Sequence, residues 1–201
     1  MNYVNNEKVE VLAHQTTKEG KHFCGDSFFF TTTKDYFICV LADGLGSGEY
    51  ANISSSAVIS VVKEHHDKDV NTLMNYCNEV LAYKRGAAVL IFKVSFSQRE
   101  FVYSCVGNIR FFLYSPSGKL TYPLPVKGYL SGRPQSLHTQ RFSYEENSKF
   151  IIFSDGLDLN GVKSLLTGLF DVRTVAEKIK KNHSSTADDA TFILGSLLVT
   201  G

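Results

Sequence analysis

Tyr36-Phe37-Ile38-Cys39-Val40-Leu41-Ala42, followed at once by Asp43-Gly44-Leu45-Gly46-Ser47-Gly48, is the stretch on which the reading of this chain turns. Its first part is apolar without a break, which predicts a strand buried on both faces. The second part holds three glycines in six residues and reads as a loop. Beyond it Ala51, Ser54, Ser55, Val58, Val61 and Val62 recur at helical spacing and predict a helix over Glu49–His65. Ser47 is placed to cap that helix, and Glu49 in the first turn suits its dipole. The small residues Ala51, Ser54 and Ser55 would let the helix lie close to a sheet.

Working outward, Phe28–Thr33 is dense in aromatic and β-branched residues and predicts an earlier strand, closed by a turn at Lys34-Asp35. Downstream, Val70–Tyr83 carries Leu73, Tyr76, Cys77 and Val80 on one helical face. Strands are expected at Ala87–Phe96, Glu100–Val106 and Arg110–Tyr114, the last ending at Ser115-Pro116-Ser117-Gly118. Tyr122–Pro134 contains three of the four prolines and reads as an irregular surface excursion. Further strands are expected at Gln140–Tyr144, Lys149–Ser154 and Thr191–Leu198, with a short helix over Val172–Lys181. Many short strands with long amphipathic helices between them predict an α+β layered domain of mainly antiparallel sheets covered by helices. No linker or repeat divides the chain, so residues 1–201 read as a single domain.

Composition narrows the function classes. The chain is 43% apolar and 20% charged, ordinary for a globular protein. Lys and Arg number 21 against 20 Asp and Glu, a balance without the basic excess of a general nucleic-acid binder. The longest apolar run has seven residues, far below the roughly 20 that a membrane-spanning helix needs. Met1–Lys8 has no basic head leading into an apolar stretch, so no secretory signal is read and a cytoplasmic protein is expected. Cys24, Cys39, Cys77 and Cys105 form no CxxC pair, and they are expected to be reduced thiols.

The chemistry is expected where aspartates sit at strand ends: Asp26, Asp43, Asp155, and the pair Asp188-Asp189. A carboxylate emerging where an apolar strand surfaces is held by a rigid element yet open to solvent. Any one Asp-Gly step alone reads as a turn. Hard oxygen donors without Cys or His neighbours favour Mg²⁺ or Mn²⁺ over zinc.

Taken in order, Gly25-Asp26-Ser27, Ala42-Asp43-Gly44-Leu45-Gly46, Phe153-Ser154-Asp155-Gly156-Leu157 and Asp188-Asp189-Ala190-Thr191 resemble the motifs of the metal-dependent protein phosphatase (PPM) family. Arg85-Gly86-Ala87-Ala88 and Val106-Gly107-Asn108-Ile109-Arg110 fit the same pattern, and the likeness spans about residues 20–198. Within the family the chain is similar to the bacterial SpoIIE-type branch. Lys18-Glu19-Gly20-Lys21, Tyr114–Gly118 and Gly128-Tyr129-Leu130-Ser131-Gly132 are similar to its stressosome phosphatases.

The resemblance implies an α-β-β-α sandwich and a Mn²⁺- or Mg²⁺-dependent serine/threonine protein phosphatase. Its substrates would be phosphorylated stress-signalling proteins, the scaffold components of the stressosome, with no nucleic-acid or membrane partner. Asp43 would bridge two divalent cations, the Gly44 carbonyl would bind one, and Asp155 and Asp188 would complete the other's protein ligands. Asp26 would serve the Gly44 side directly or through a water, Asp189 would support the ligands from behind, and Lys21 would grip phosphate. The nucleophile would be a metal-bound water, activated between ions about 3.5–4 Å apart, with no side-chain nucleophile. Leu45 stands where many relatives have His, so a metal-bound water would also protonate the leaving oxygen. Gly25 stands where eukaryotic relatives have Glu, which removes one ligand. Tyr122–Pro134 is too short for the extra lobe of larger relatives, implying a shallow site that selects by docking a folded protein. The rival readings are a non-catalytic binding module on the same fold and a phosphohydrolase acting on small molecules. The absence of a P-loop or dinucleotide fingerprint weakens nucleotide readings.

Overall fold

The computed structural model describes residues 2–168, 171–182 and 187–198. The elements run β1 (Asn2–Asn5), β2 (Val9–Thr16), β3 (Asp26–Thr32), β4 (Tyr36–Gly44), α1 (Glu49–His65), α2 (Val70–Val80), β5 (Ala87–Ser95), β6 (Glu100–Val106), β7 (Arg110–Tyr114), β8 (Leu120–Thr121), β9 (Thr139–Ser143), β10 (Ser148–Phe153), α3 (Val162–Thr167), α4 (Val172–Asn182) and β11 (Ala190–Leu197). One sheet has the order β1-β2-β11-β10-β7-β8 and the other β3-β4-β5-β6-β9. Every ladder between these strands is antiparallel.

The run Tyr36–Ala42 explains the layering. Phe37, Cys39 and Leu41 point into the space between the sheets, where they meet Val11, Phe92, Phe150 and Ile193. Ile38, Val40 and Ala42 point the other way and pack under α1 and α2, against Val58, Val62, Leu73 and Met74. Strand alternation thus turns one unbroken apolar run into two buried faces. On the far side of the other sheet, Leu12, Ile151, Phe192 and Leu194 pack under α3 and α4 through Leu166, Val172, Val175 and Ile179. The result is an α-β-β-α sandwich. Phe92 anchors its centre, with ring centroids 4.9 Å from Phe111, 5.0 Å from Phe150 and 5.2 Å from Phe101. Truncating such a residue to alanine costs about 3–5 kcal/mol.

Several local expectations shift. The strand expected at Phe28 starts at Asp26, and the strand expected to end at Ala42 continues to Gly44. Register is the reason: Asp26 pairs with Asp43, and Asp43 and Gly44 pair with Ala88 and Ala87. The helix expected to reach Tyr83 stops at Val80, because Leu81 caps it and Tyr83 turns to a positive φ of 64°. Ser47 does not cap α1: Gly48 occupies that position with φ 74° and ψ −151°, a conformation suited to glycine, and no side chain caps the helix. Ala51, Ser54 and Ser55 are fully buried, and Ser55 Oγ lies 2.8 Å from Ser27 Oγ on β3, so the small face does seat the helix on the sheet. The strands β1, β2 and β8 and the helix α3 have no counterpart among the expected elements.

Tyr122–Pro134 is irregular but attached. Val126 bridges to Val106 and Leu130 to Ala87. Asn78 of α2 accepts the Ser131 and Gly132 N–H groups and donates to the Arg133 carbonyl at 2.8 Å. The segment is therefore a strap across the ends of β5 and β6.

Candidate metal centre

The aspartates collect at one end of the sandwich, where strands of both sheets finish. Asp43, Gly44, Asp155, Asp188 and Asp189 line a single open cleft of about 430 Å³ with Leu45, Asn108 and Lys127. Two close approaches put them there. A Cβ on Gly44 would fall 2.0 Å from the Ala51 carbonyl oxygen, so the Asp-Gly step fits beneath α1 only as glycine. A Cβ on Gly156 would fall 2.0 Å from the Asp189 carbonyl oxygen, so the Ser154-Asp155-Gly156 turn lies directly on the Asp188-Asp189 segment. Motifs far apart in sequence are thus in backbone contact.

Asp26 does not line the cleft. It is 2% exposed and lies behind Asp43, accepting a 2.6 Å hydrogen bond from Ser154 Oγ. The same Ser154 oxygen accepts the Thr191 N–H at 2.9 Å. Gln15 Nε2 donates to the Asp26 carbonyl at 2.9 Å and to Thr191 Oγ1 at 3.2 Å. Asp26 belongs to one sheet, while Gln15 and Thr191 belong to the other and Ser154 follows its β10, so this network stitches the two sheets together below the cleft. Burial pushes the Asp26 carboxyl up to about 6, opposed by hydrogen bonding from Ser154 and Thr191 and assisted by the Asp189 and Asp155 charges.

Asp43 is half-buried. Burial first, then the charges of Asp26, Asp155, Asp188 and Asp189, push its carboxyl up to about 8. Asp189, 6% exposed, accepts the Lys18 N–H at 2.9 Å and the Gly25 N–H at 2.8 Å, which fixes the loop leading into β3. Asp188 faces solvent with Lys18 Nζ at 3.5 Å, an exposed pair of small energetic consequence. Asp155 is exposed and accepts a 2.6 Å hydrogen bond from Asn108 Nδ2. Among the described residues no three acidic, histidine or cysteine side chains close into a preformed cage. The carboxylates instead ring the cleft.

The donor set fits a hard divalent cation. The ring offers carboxylate oxygens and the Gly44 peptide, with no Cys or His among the described residues lining the cleft. Mutual repulsion of its charges is relieved by positive charge placed between them. No thiol competes as a nucleophile: all four cysteines are free and buried, and burial pushes Cys24 up to about 12. Lys21 lies outside the cleft lining, along the Gly48 end of the loop, its Cδ 3.9 Å from where a Gly48 side chain would begin.

Over residues 33–197 the sequence matches the family described as stage II sporulation protein E (SpoIIE). The chain belongs to the SpoIIE family of PPM-type domains. To one relative of known activity, the phosphoserine phosphatase RsbX of Bacillus subtilis (strain 168), it is 46% identical over 192 residues, 96% of either chain. Its fold matches the crystal structure of RsbX in complex with magnesium with a TM-score of 0.94 at 45% identity, covering 98% of each chain. A structure from work on the bacterial stressosome, a modular system adapted to control secondary messenger signalling, matches with a TM-score of 0.85 at 26% identity, over 94% of this chain and 100% of that one. The two antiparallel sheets and their flanking helices are the architecture of this family.

Sequence reasoning assigns no role to Asn108 or Lys127. Asn108 lies in a segment already matched to the family, so its position was legible although its bond to Asp155 was not. Lys127 sits among prolines and glycines with no periodicity to mark it, and only the strap's course brings it to the cleft.

Proposed function

We propose that this chain is a divalent-cation-dependent phosphatase that hydrolyses phosphoserine or phosphothreonine on proteins of bacterial stress signalling, in the cytoplasm. The observation that carries the reading is the convergence of Asp43, Gly44, Asp155 and Asp188 on one cleft, in a chain similar over 96% of its length to a phosphoserine phosphatase. The similarity to the stressosome-related structure supports the choice of substrate. Four free cysteines suit a reducing compartment, and among the described residues no helix is long and apolar enough to cross a membrane.

Asp43 would bridge two cations, the Gly44 carbonyl would hold one, and Asp155 and Asp188 the other. Asp26, buried behind Asp43, would reach the Gly44 side through a water. Bound Mn²⁺ or Mg²⁺ supplies an activated water nucleophile and offsets charge on the phosphoryl oxygens. The chain's own contribution is orientation. Asn108 holds Asp155 through its amide, Ser154 holds Asp26, and the Lys18 and Gly25 amides hold Asp189. Leu45 at the rim offers no proton, so no side chain at that position protonates the leaving serine oxygen.

The test is release of phosphate from a serine-phosphorylated stressosome scaffold protein, with Mn²⁺, with Mg²⁺ and with EDTA. Release that needs the cation supports the reading. No release under any condition, or equal turnover of free nucleotides, refutes it.

A further inference from the structure

Among the described residues lining the acidic cleft there is one basic side chain, Lys127. It is exposed, and it makes no hydrogen bond or ion pair with any described residue. Its backbone, by contrast, is pinned on both sides. Before it, Val126 donates to the Cys105 carbonyl and accepts the Gly107 N–H, each at 2.9 Å. After it, Leu130 exchanges hydrogen bonds of 2.9 and 3.0 Å with Ala87. The strap therefore holds a fixed Cα at the cleft and leaves a long, uncommitted ammonium there.

Three of the four cleft carboxylates take their partners elsewhere, and Asp43, half-buried, makes no side-chain hydrogen bond or ion pair with any described residue. Asp155 is held by Asn108, Asp189 by the Lys18 and Gly25 amides, and Asp188 lies near Lys18. An ammonium left unpaired in a cleft lined by four aspartates has an unused capacity for a mobile anion. Resting on the phosphatase reading above, we infer that Lys127 binds the phosphoryl group of the substrate and positions it against the carboxylate ring. A lysine suits the task as a point charge with three donors on a flexible stem, able to follow a phosphate group as its charge redistributes. The assignment replaces Lys21, which lies outside the cleft lining.

Inorganic phosphate, the product of the reaction, is the probe. Titrated calorimetrically into Mg²⁺-loaded protein, it should bind Lys127→Ala about ten-fold more weakly than wild type, and Lys127→Arg within about three-fold of wild type. With a phosphoserine protein as substrate, Lys127→Ala should raise KM by a similar factor and change kcat less. The Mg²⁺-induced rise in Tm should be the same in wild type and both variants, because Lys127 is not asked to hold the cation. Unchanged phosphate affinity in Lys127→Ala, a lost Mg²⁺ response in that variant, or loss of phosphate binding in Lys21→Ala instead, overturns the assignment. A wild type that hydrolyses normally beside an indistinguishable Lys127→Ala overturns this inference alone. A wild type that neither hydrolyses nor binds phosphate overturns the phosphatase reading, and this inference with it.

Discussion

Asp26 and Asp43 stand directly opposite one another across the β3–β4 ladder, one buried beneath the cleft and the other opening into it. Like charges at facing positions of a sheet are destabilising. The pair is nonetheless held, by Ser154 and Thr191 on the Asp26 side and by Gly44 packed under α1 on the other. The fold thus keeps repelling groups together at the cleft proposed to hold the cation.

Asp43→Asn removes one of these charges at nearly constant volume. The variant is expected to lose phosphatase activity and most of the Mn²⁺-induced rise in Tm, yet in EDTA to melt no lower than wild type. Wild type itself should gain about 2.7 kcal/mol when Mn²⁺ is 100-fold above its dissociation constant. Melting both proteins with Mn²⁺ and with EDTA checks this. An unchanged Mn²⁺ response in the variant removes Asp43 from the cation site.

Burial, together with the same charges, sets a pH dependence. Asp43 and Asp26 have folded-state pKa values raised to about 8 and about 6. A raised carboxyl lets the folded state hold protons that the unfolded chain has already released. Stability is then full below the unfolded pKa and declines as pH rises through the folded values. In EDTA the protein should therefore lose stability from about pH 5 to about pH 8, and saturating Mn²⁺ should flatten or reverse that slope. Urea denaturation at both pH values, with and without the cation, measures it. Rising stability in EDTA over this window contradicts the raised pKa values of the buried, crowded carboxyls.

Ser154→Ala deletes the donor to Asp26 and the acceptor of the Thr191 N–H together. Both partners stay buried, so a loss of about 1–3 kcal/mol is expected. The cost should be smaller at pH 5, where Asp26 is more protonated. A denaturant midpoint equal to wild type at both pH values shows that the link between the sheets carries no stability.

Tyr103 lies in the core between the sheets with a buried hydroxyl that faces the weakly bonding Cys105 thiol and meets no oxygen or nitrogen partner among the described residues. Tyr103→Phe removes this poorly satisfied group and keeps the ring, so the variant should be as stable as wild type or gain about 2–4 °C in Tm. Calorimetry decides, and a clear loss of Tm means that the hydroxyl is satisfied in solution.

The layered architecture was legible because strand and helix periodicity are local properties. The run Tyr36–Ala42 implied burial on both faces before any partner was known, and its two faces do lie in different cores. The helix Glu49–His65 was equally readable, since its apolar and small residues repeat along one face. The first sixteen residues gave no such signal. In β2, Glu10, His14 and Gln15 interrupt the apolar pattern, and the strand is settled by pairing with β1 and β11 on its two sides.

The aspartates themselves were visible as residues at strand ends, and their order carried the family likeness. Which of them face the cleft was decided only by tertiary structure. Asp26 and Asp43 look alike in sequence, each at the end of a strand, but register and the Ser154 hydroxyl bury one beneath the other. Local sequence specifies a residue's type and its place on an element. The cleft, the burial and crowding that raise the Asp43 pKa and the arrival of Lys127 depend on where separate strands end in space, which long-range packing alone determines.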